Sequence, residues 1–253
     1  TTWLECTSNT NEFGILGSFT ENRNALLITP EGGVLVSTPK SSATENLFSV
    51  FTTITLREDA SGISETTFAT TGEYKQDLIN YVFNQKKDNQ TKFLINYMGF
   101  LQPDDYEVTG NKKEDVAEMS FKMYLDKVPD FTAGTKMFLH PRIYKMYNLK
   151  LPDNANRSRP YYFECPYIKT DTTVYKLPDD YMVENLPQPR NNSFEYGSFR
   201  TSYSFNEVEN IVTSIATLSL NQNVIPAEKY AATRKFFSSV INEYTEKIII
   251  KKK

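Results

Sequence analysis

Residues 117–128 read AEMSFKMYLDKV. Met119, Phe121, Met123 and Leu125 alternate with Ser120, Lys122, Tyr124 and Asp126. Successive side chains of a strand point to opposite faces, so this pattern predicts an antiparallel strand with one dry face and one wet one. The same period of two extends outward along the chain. Upstream, Phe48, Val50, Ile54 and Leu56 share one parity, and REDASGI supplies a turn before a second strand at Ser64 to Thr71. Downstream, a short strand is expected at Lys136 to Leu139. YYFECPYI then places Tyr161, Phe163, Cys165 and Tyr167 on one face. TTVYKL and YMVENLP follow, then SFRTSYSF with Phe199, Tyr203 and Phe205 in register, then IVTSIATLSL. Strands at this spacing with polar turns between them argue for a sandwich or an open barrel, and of the two we expect a mainly β, antiparallel β-sandwich.

Three segments break the β period. Tyr74 to Asn84 and Thr91 to Phe100 space their apolar residues three and four apart, predicting two short helices joined by the loop QKKDNQ. Near the C-terminus, Pro226 stands at a helix start. Tyr230, Phe237, Ile241, Tyr244 and Ile248 continue as an apolar stripe, after which Ile248 to Ile250 reads as a last strand.

Residues 1–39 read as short extended pieces broken by turns. Glu31-Gly32-Gly33 after Pro30 is a hairpin signal, because Gly supplies the positive φ that tight turns require. The polar run KSSATEN, residues 40–46, has the character of a linker. The expected organisation is therefore an N-terminal unit over 1–45 and a β-sandwich domain over 46–253, the latter with a possible division near 148–160.

At 253 residues the chain is long enough to bury a substantial core without disulfide or metal staples. Its net charge of −3, with the basic residues dispersed, gives no footprint for nucleic acid. KIIIKKK at the C-terminus is the one basic cluster, and three lysines after a strand commonly keep a chain end soluble. No stretch approaches the ~18 apolar residues of a membrane span. A first residue other than Met suggests a chain that lost a leader or was cut from something longer.

Chemistry-bearing motifs are few. Hydrolytic and transfer enzymes usually pair a general base with a nucleophile. The single histidine, His140 in MFLHPRIYKM, has no nucleophile or metal-ligand companion nearby in sequence, which favours a structural role. One His and two isolated cysteines, Cys6 and Cys165, do not make an ordinary zinc site, and no metal or cofactor is expected. Neither GxxxxGK[ST] nor GxGxxG occurs. Asp104-Asp105 and Asp179-Asp180 sit in turn contexts, where Asp bonds its local backbone. Tyr144 and Tyr147 are expected to pack a core, with a peptide- or sugar-binding groove as the alternative.

The opening stretch carries more. WLECTS provides Trp3, Leu4, Glu5 and Cys6-Thr7, followed by Phe13-Gly14 and by Arg23-x-Ala25-Leu26-Leu27. Far downstream, KLPDDYMVENLP provides Leu177, Pro178, Tyr181, Val183, Leu186 and Pro187, and EKYAATRKFFSSVINEYTEKIIIKK closes the chain. In order and spacing these segments resemble the C-terminal part of a bacterial family of multidomain transglutaminase-like proteins. Such proteins have an N-terminal β domain, a papain-like transglutaminase core and a C-terminal β domain of unknown function. The resemblance implies that residues 1–45 are the tail strands of such a core plus a linker. It also implies that Glu5 stands at the third position of a Cys-His-Asp triad, the acid that orients the imidazole. Glu replaces the usual Asp, and Cys6 stands where the superfamily often has Pro. In such cores the nucleophilic Cys and the base His lie upstream of the Trp-x-acid strand, so the resemblance implies an incomplete triad and no catalysis by this chain itself. Cys6 is not expected to substitute, since the neighbouring carboxylate disfavours its thiolate. The resemblance further implies a periplasmic or secreted setting, an upstream core of the same protein as partner, and a protein or peptide substrate for the parent. The rival expectation is a self-contained extracellular β-sandwich module that binds a peptide or glycan.

Overall fold

A computed structural model describes residues 2–7, 13–83, 85–112, 116–153 and 157–253. The chain starts with a hairpin of β1 (Asn24–Thr29) and β2 (Gly32–Ser37), paired Leu26 to Leu35 and Leu27 to Val34. The expected turn is there, with Gly32 at φ 129°, a value L side chains rarely adopt. This hairpin is a two-stranded sheet of its own.

Next come β3 (Leu47–Leu56) and β4 (Gly62–Thr70), then α1 (Gly72–Leu78) and α2 (Lys87–Lys92), each running on into a π-type turn at 79–83 and 93–97. The two short helices were expected, but α2 starts inside QKKDNQ, which holds no Gly or Pro to stop it. Asn84, the expected end of the first helix, lies outside the described residues. Strands β5 (Asp105–Lys112), β6 (Ala117–Leu125), β7 (Phe131–Ala133) and β8 (Lys136–Leu139) follow. β6 alternates as its sequence requires: Met119, Phe121, Met123 and Leu125 are buried. β5 carries Gly110, and a Cβ built there would lie 1.9 Å from the Phe83 ring, so only Gly lets that ring lie over the strand.

The C-terminal half contains β9 (Tyr161–Tyr162), β10 (Tyr167–Lys176), β11 (Tyr181–Asn185), β12 (Asn191–Phe194), β13 (Gly197–Asn206), β14 (Ile211–Leu220), β15 (Val224–Ile225), α3 (Tyr230–Glu243) and β16 (Ile248–Lys252). YYFECPYI is therefore not one strand. It pairs at 161–162, leaves the ladder, and resumes at Tyr167 immediately after Pro166, which has no amide to donate. The C-terminal helix followed by a last strand is as expected, although the stripe is shorter. α3 buries Tyr230, Thr233, Phe236, Phe237 and Val240, and Ile248 already belongs to β16.

The fold is mainly β. One sheet has eight strands in the order β12-β13-β14-β10-β3-β4-β6-β5, antiparallel except that β10 runs parallel to β3, with Lys169 opposite Phe48. Another has four, β11-β16-β8-β7. The dry faces of both sheets and of α3 feed one hydrophobic cluster, in which Phe68, Phe121, Phe199, Phe237, Leu139 and Ile250 are buried. The parallel pairing puts the N-terminal end of β10 beside α1, and this junction shapes the cleft described next.

Candidate functional site

Glu5 sits in an irregular segment before the hairpin. Its Oε1 accepts hydrogen bonds from the Thr7 amide at 3.0 Å and the Thr7 hydroxyl at 2.5 Å. Its Oε2 accepts from the Thr20 hydroxyl at 2.5 Å and the Gly17 amide at 3.4 Å. The carboxylate thus ties residues 5–7 to the turn at 17–20. These donors stabilise the charged form, the Thr20 hydroxyl most of all, and lower its pKa from 4.5 to about 2. With the folded value depressed, this tie holds above pH 4.5 and loosens as pH falls through about 2. Thr20→Val is expected to move the Glu5 titration upward towards 4.5, read from the carboxyl carbon by NMR; an unmoved titration would show that the hydroxyl is not what holds it.

Cys6, next in sequence, is exposed and Cys165 is buried, and both are free thiols. Burial pushes the Cys165 thiol far above its ordinary value, which disfavours a thiolate there. His140 lies at the end of β8 against the end of α3. Its ring stacks on Tyr244 at 4.2 Å, and its Nδ1 lies 2.9 Å from the Tyr244 carbonyl oxygen and 3.0 Å from Lys247 Nζ. Asp130 Oδ1 is 3.6 Å from Nε2. Neither thiol is among these partners, and burial, ahead of every other influence, lowers the imidazole pKa and favours its neutral form. Glu5 and His140 are thus held by separate sets of neighbours. Among the described residues no group of three or more His, Cys, Asp or Glu is placed to hold a metal ion. No helix among them is long and apolar enough to cross a membrane.

Of the two paired-carboxylate motifs, Asp179-Asp180 lies in a turn, whereas Asp104 precedes β5 and Asp105 opens it. Asp104 Oδ2 accepts the Asp126 amide at 2.7 Å and Asp105 pairs with Lys87 at 3.1 Å, while Asp180 pairs with Lys252 at 2.8 Å. Tyr144 is in the core, stacked on Phe48 at 5.6 Å. Tyr147 is only partly buried, and it lines a cleft.

That cleft, of about 240 Å³, lies at the N-terminal end of β10. Tyr147, Tyr161 and Phe163 form one wall, held from behind by Phe237, whose ring is 4.3 Å from Tyr147 and 5.1 Å from Phe163. Tyr74 and Tyr167 form another, edge to face at 6.2 Å. Lys169 reaches in from β10, on the same strand parity as Tyr167, with its Nζ 5.6, 5.1 and 5.4 Å from the Phe48, Tyr74 and Tyr167 ring centres. Glu164 stands exposed at the rim and Tyr162 links the cleft to the N-terminal segment, where Arg23 lies over its ring at 5.2 Å. Sequence reading placed Tyr161, Phe163 and Tyr167 on one face but gave no sign of Lys169 or Tyr74. Their meeting depends on the parallel β10/β3 pairing, which local periodicity does not encode.

Residues 135–250 match the family model of a domain of unknown function with a solved structure, DUF3858. Among solved structures the chain is similar to a crystal structure from Parabacteroides distasonis described as a "putative protease", at 7% identity, over 83% of this chain and 100% of that one, with a TM-score of 0.34. A likeness that loose transfers no activity. No curated protein matches the chain.

Proposed function

We propose that this chain is a non-catalytic accessory region that packs through residues 2–40 against a transglutaminase-like core of the same protein and helps to position its protein or peptide substrate. The observation that carries this reading is the β1/β2 hairpin. Leu26, Ile28 and Leu35 are 62%, 75% and 68% exposed, and Leu27 and Val34 on the opposite face are also exposed. A hairpin apolar on both faces has the composition of a strand pair covered on both sides. Two strands alone are only marginally stable in water, and among the described residues this pair hydrogen-bonds to no other strand. Burying a Leu or Ile side chain is worth about 1.5–3 kcal/mol, so covering three of them favours association by several kcal/mol before ordering costs. Glu5, through Thr7, Thr20 and Gly17, fastens the preceding segment beside the hairpin.

Hydrogen exchange tests the reading. Amides of 24–37 are expected to exchange quickly in the 253-residue chain and to be protected in a polypeptide that carries the core upstream. Combined Leu26→Ser, Ile28→Ser and Leu35→Ser should remove that protection. Equal exchange in the short and long polypeptides, or protection indifferent to the three serines, would sink the docking role.

A further inference from the structure

We propose that the cleft at the start of β10 is a binding site for a carboxylate carried next to an aromatic ring, the carboxylate meeting the Lys169 ammonium and the Tyr167 hydroxyl and the ring lying against Tyr147 and Tyr161. This site does not depend on the docking of residues 2–40, and it is tested on the chain alone.

The first argument is the state of Lys169. Half-buried beneath three rings, its ammonium has given up much of its water, yet no carboxylate among the described residues forms an ion pair with it. Cation–π contacts return only about 0.5–2 kcal/mol at such sites. Glu164, at the exposed rim, and Asp77, which lines a neighbouring 30 Å³ cavity together with Lys169, favour its charged form but are not ion-paired with it. A lysine so placed lacks a counter-ion, and an anionic ligand supplies one. Burial lowers its pKa to about 8, leaving it mostly charged at neutral pH.

The second argument is independent. Tyr167 is 5% exposed and lines the same cleft, and its buried hydroxyl has no hydrogen-bond partner among the described residues. A buried hydroxyl without a partner costs about 1–3 kcal/mol, and a carboxylate oxygen would satisfy it. The charged end of a ligand therefore has two waiting groups.

The walls decide the rest. An aromatic cage would suit an organic cation, but here the chain's own ammonium already fills it and repels a second one. Rings prefer offset or edge contacts with other rings, and the Tyr147, Tyr161 and Phe163 wall offers them. The volume of 240 Å³ lies just under the usual range for drug-sized ligands, about 300–1,000 Å³, so the cleft suits one ring and a short acid. Two sources share this chemistry: a free aryl-alkanoic acid, or the C-terminal Phe or Tyr of a peptide.

Calorimetry on the whole chain distinguishes them, with 3-phenylpropionate and 3-phenylpropionamide as one pair and acetyl-Gly-Gly-Phe acid and its C-terminal amide as the other. In at least one pair the acid is expected to bind tenfold or more tightly than the amide, and which pair does so identifies the source. Lys169→Met should remove the acid's advantage, and Tyr167→Phe should weaken the acid several-fold, each with an unfolding midpoint at or above that of the unaltered protein, since each removes a buried polar group that lacks a partner. If Lys169→Met fails to fold, the acid-to-amide ratio on the unaltered protein still decides. Equal affinity for acid and amide, no binding of either acid at millimolar concentration, or full binding by a folded Lys169→Met protein would each overturn the proposal.

Discussion

Replacing Arg142 with Met is expected to lower stability by about 3–5 kcal/mol, because it strands two carboxylates in the interior. Arg142, Asp171 and Glu243 are 1%, 0% and 1% exposed. The guanidinium donates to Glu243 at 2.5 and 3.2 Å, and its Nε lies 3.4 Å from Asp171 Oδ1. The Tyr203 hydroxyl also donates to Glu243, and the Thr173 hydroxyl donates to Asp171 at 2.9 Å. Among the described residues the Arg142 Nε and Asp171 Oδ2 have no hydrogen-bond partner, so the cluster is only partly satisfied. Removing the cation costs far more than the cluster contributes net, since a buried charge without its partner bears the full desolvation penalty. Exchanging all three residues for apolar ones, Arg142→Met with Asp171→Leu and Glu243→Leu, is accordingly expected to recover most of the loss. Urea unfolding reads both variants. An Arg142→Met protein within about 1 kcal/mol of the parent would show that the cluster is hydrated or rearranges freely.

The same substitution carries a pH signature. Burial raises the Asp171 pKa from 3.8 to about 6, and Arg142 opposes that rise. For an acid whose folded value is raised, folding takes up a proton. The contribution is fully present below 3.8 and is lost as pH climbs through about 6. Without Arg142 the folded value climbs further, so the deficit of Arg142→Met should be larger at pH 8 than at pH 5. A deficit that is constant between the two would assign the loss to packing instead of to charge.

What the sequence makes legible here follows from period. β6, between two antiparallel neighbours, and β3, between antiparallel β4 and parallel β10, each present one dry and one wet face, and their alternation survives because the core covers only one side of the sheet. Of the stripe expected for α3, Tyr230 and Phe237 lie on its core face, whereas Ile241 and Tyr244 are half-buried and Phe236 and Val240 complete the face. Charged residues inside the core are another matter. Arg142 follows Pro141 at the end of a strand and Glu243 ends a helix, both places where an exposed charge is ordinary. Their burial becomes visible only when β10 is placed beside β3 and brings Asp171 to them. β5 is missed for a related reason: DYEVTGNK is polar and carries Gly, because it is an edge strand partly covered by Phe83. The Lys169 cleft depends on the same parallel pairing, which joins segments 121 residues apart with no shared local signal.

Two phenylalanines on the same antiparallel pair separate what parity controls from what residue type controls. Phe68 in β4 is wholly buried, 5.9 Å from the Phe48 ring and 5.3 Å from Phe100. Phe51 in β3 points to the other face and is 52% exposed. Phe68→Ala leaves a cavity that the surrounding rings only partly fill, and the expected loss is about 3–5 kcal/mol. For a chain of this size that lowers Tm by roughly 10 °C. Phe51→Ser removes no core contact and leaves the Thr67 pairing intact, so its expected loss is under about 1 kcal/mol. Thermal unfolding of the two variants side by side is the measurement. Similar losses at both positions would mean that the Phe51 face is also covered in solution, and the eight-stranded sheet would then be buried on both sides.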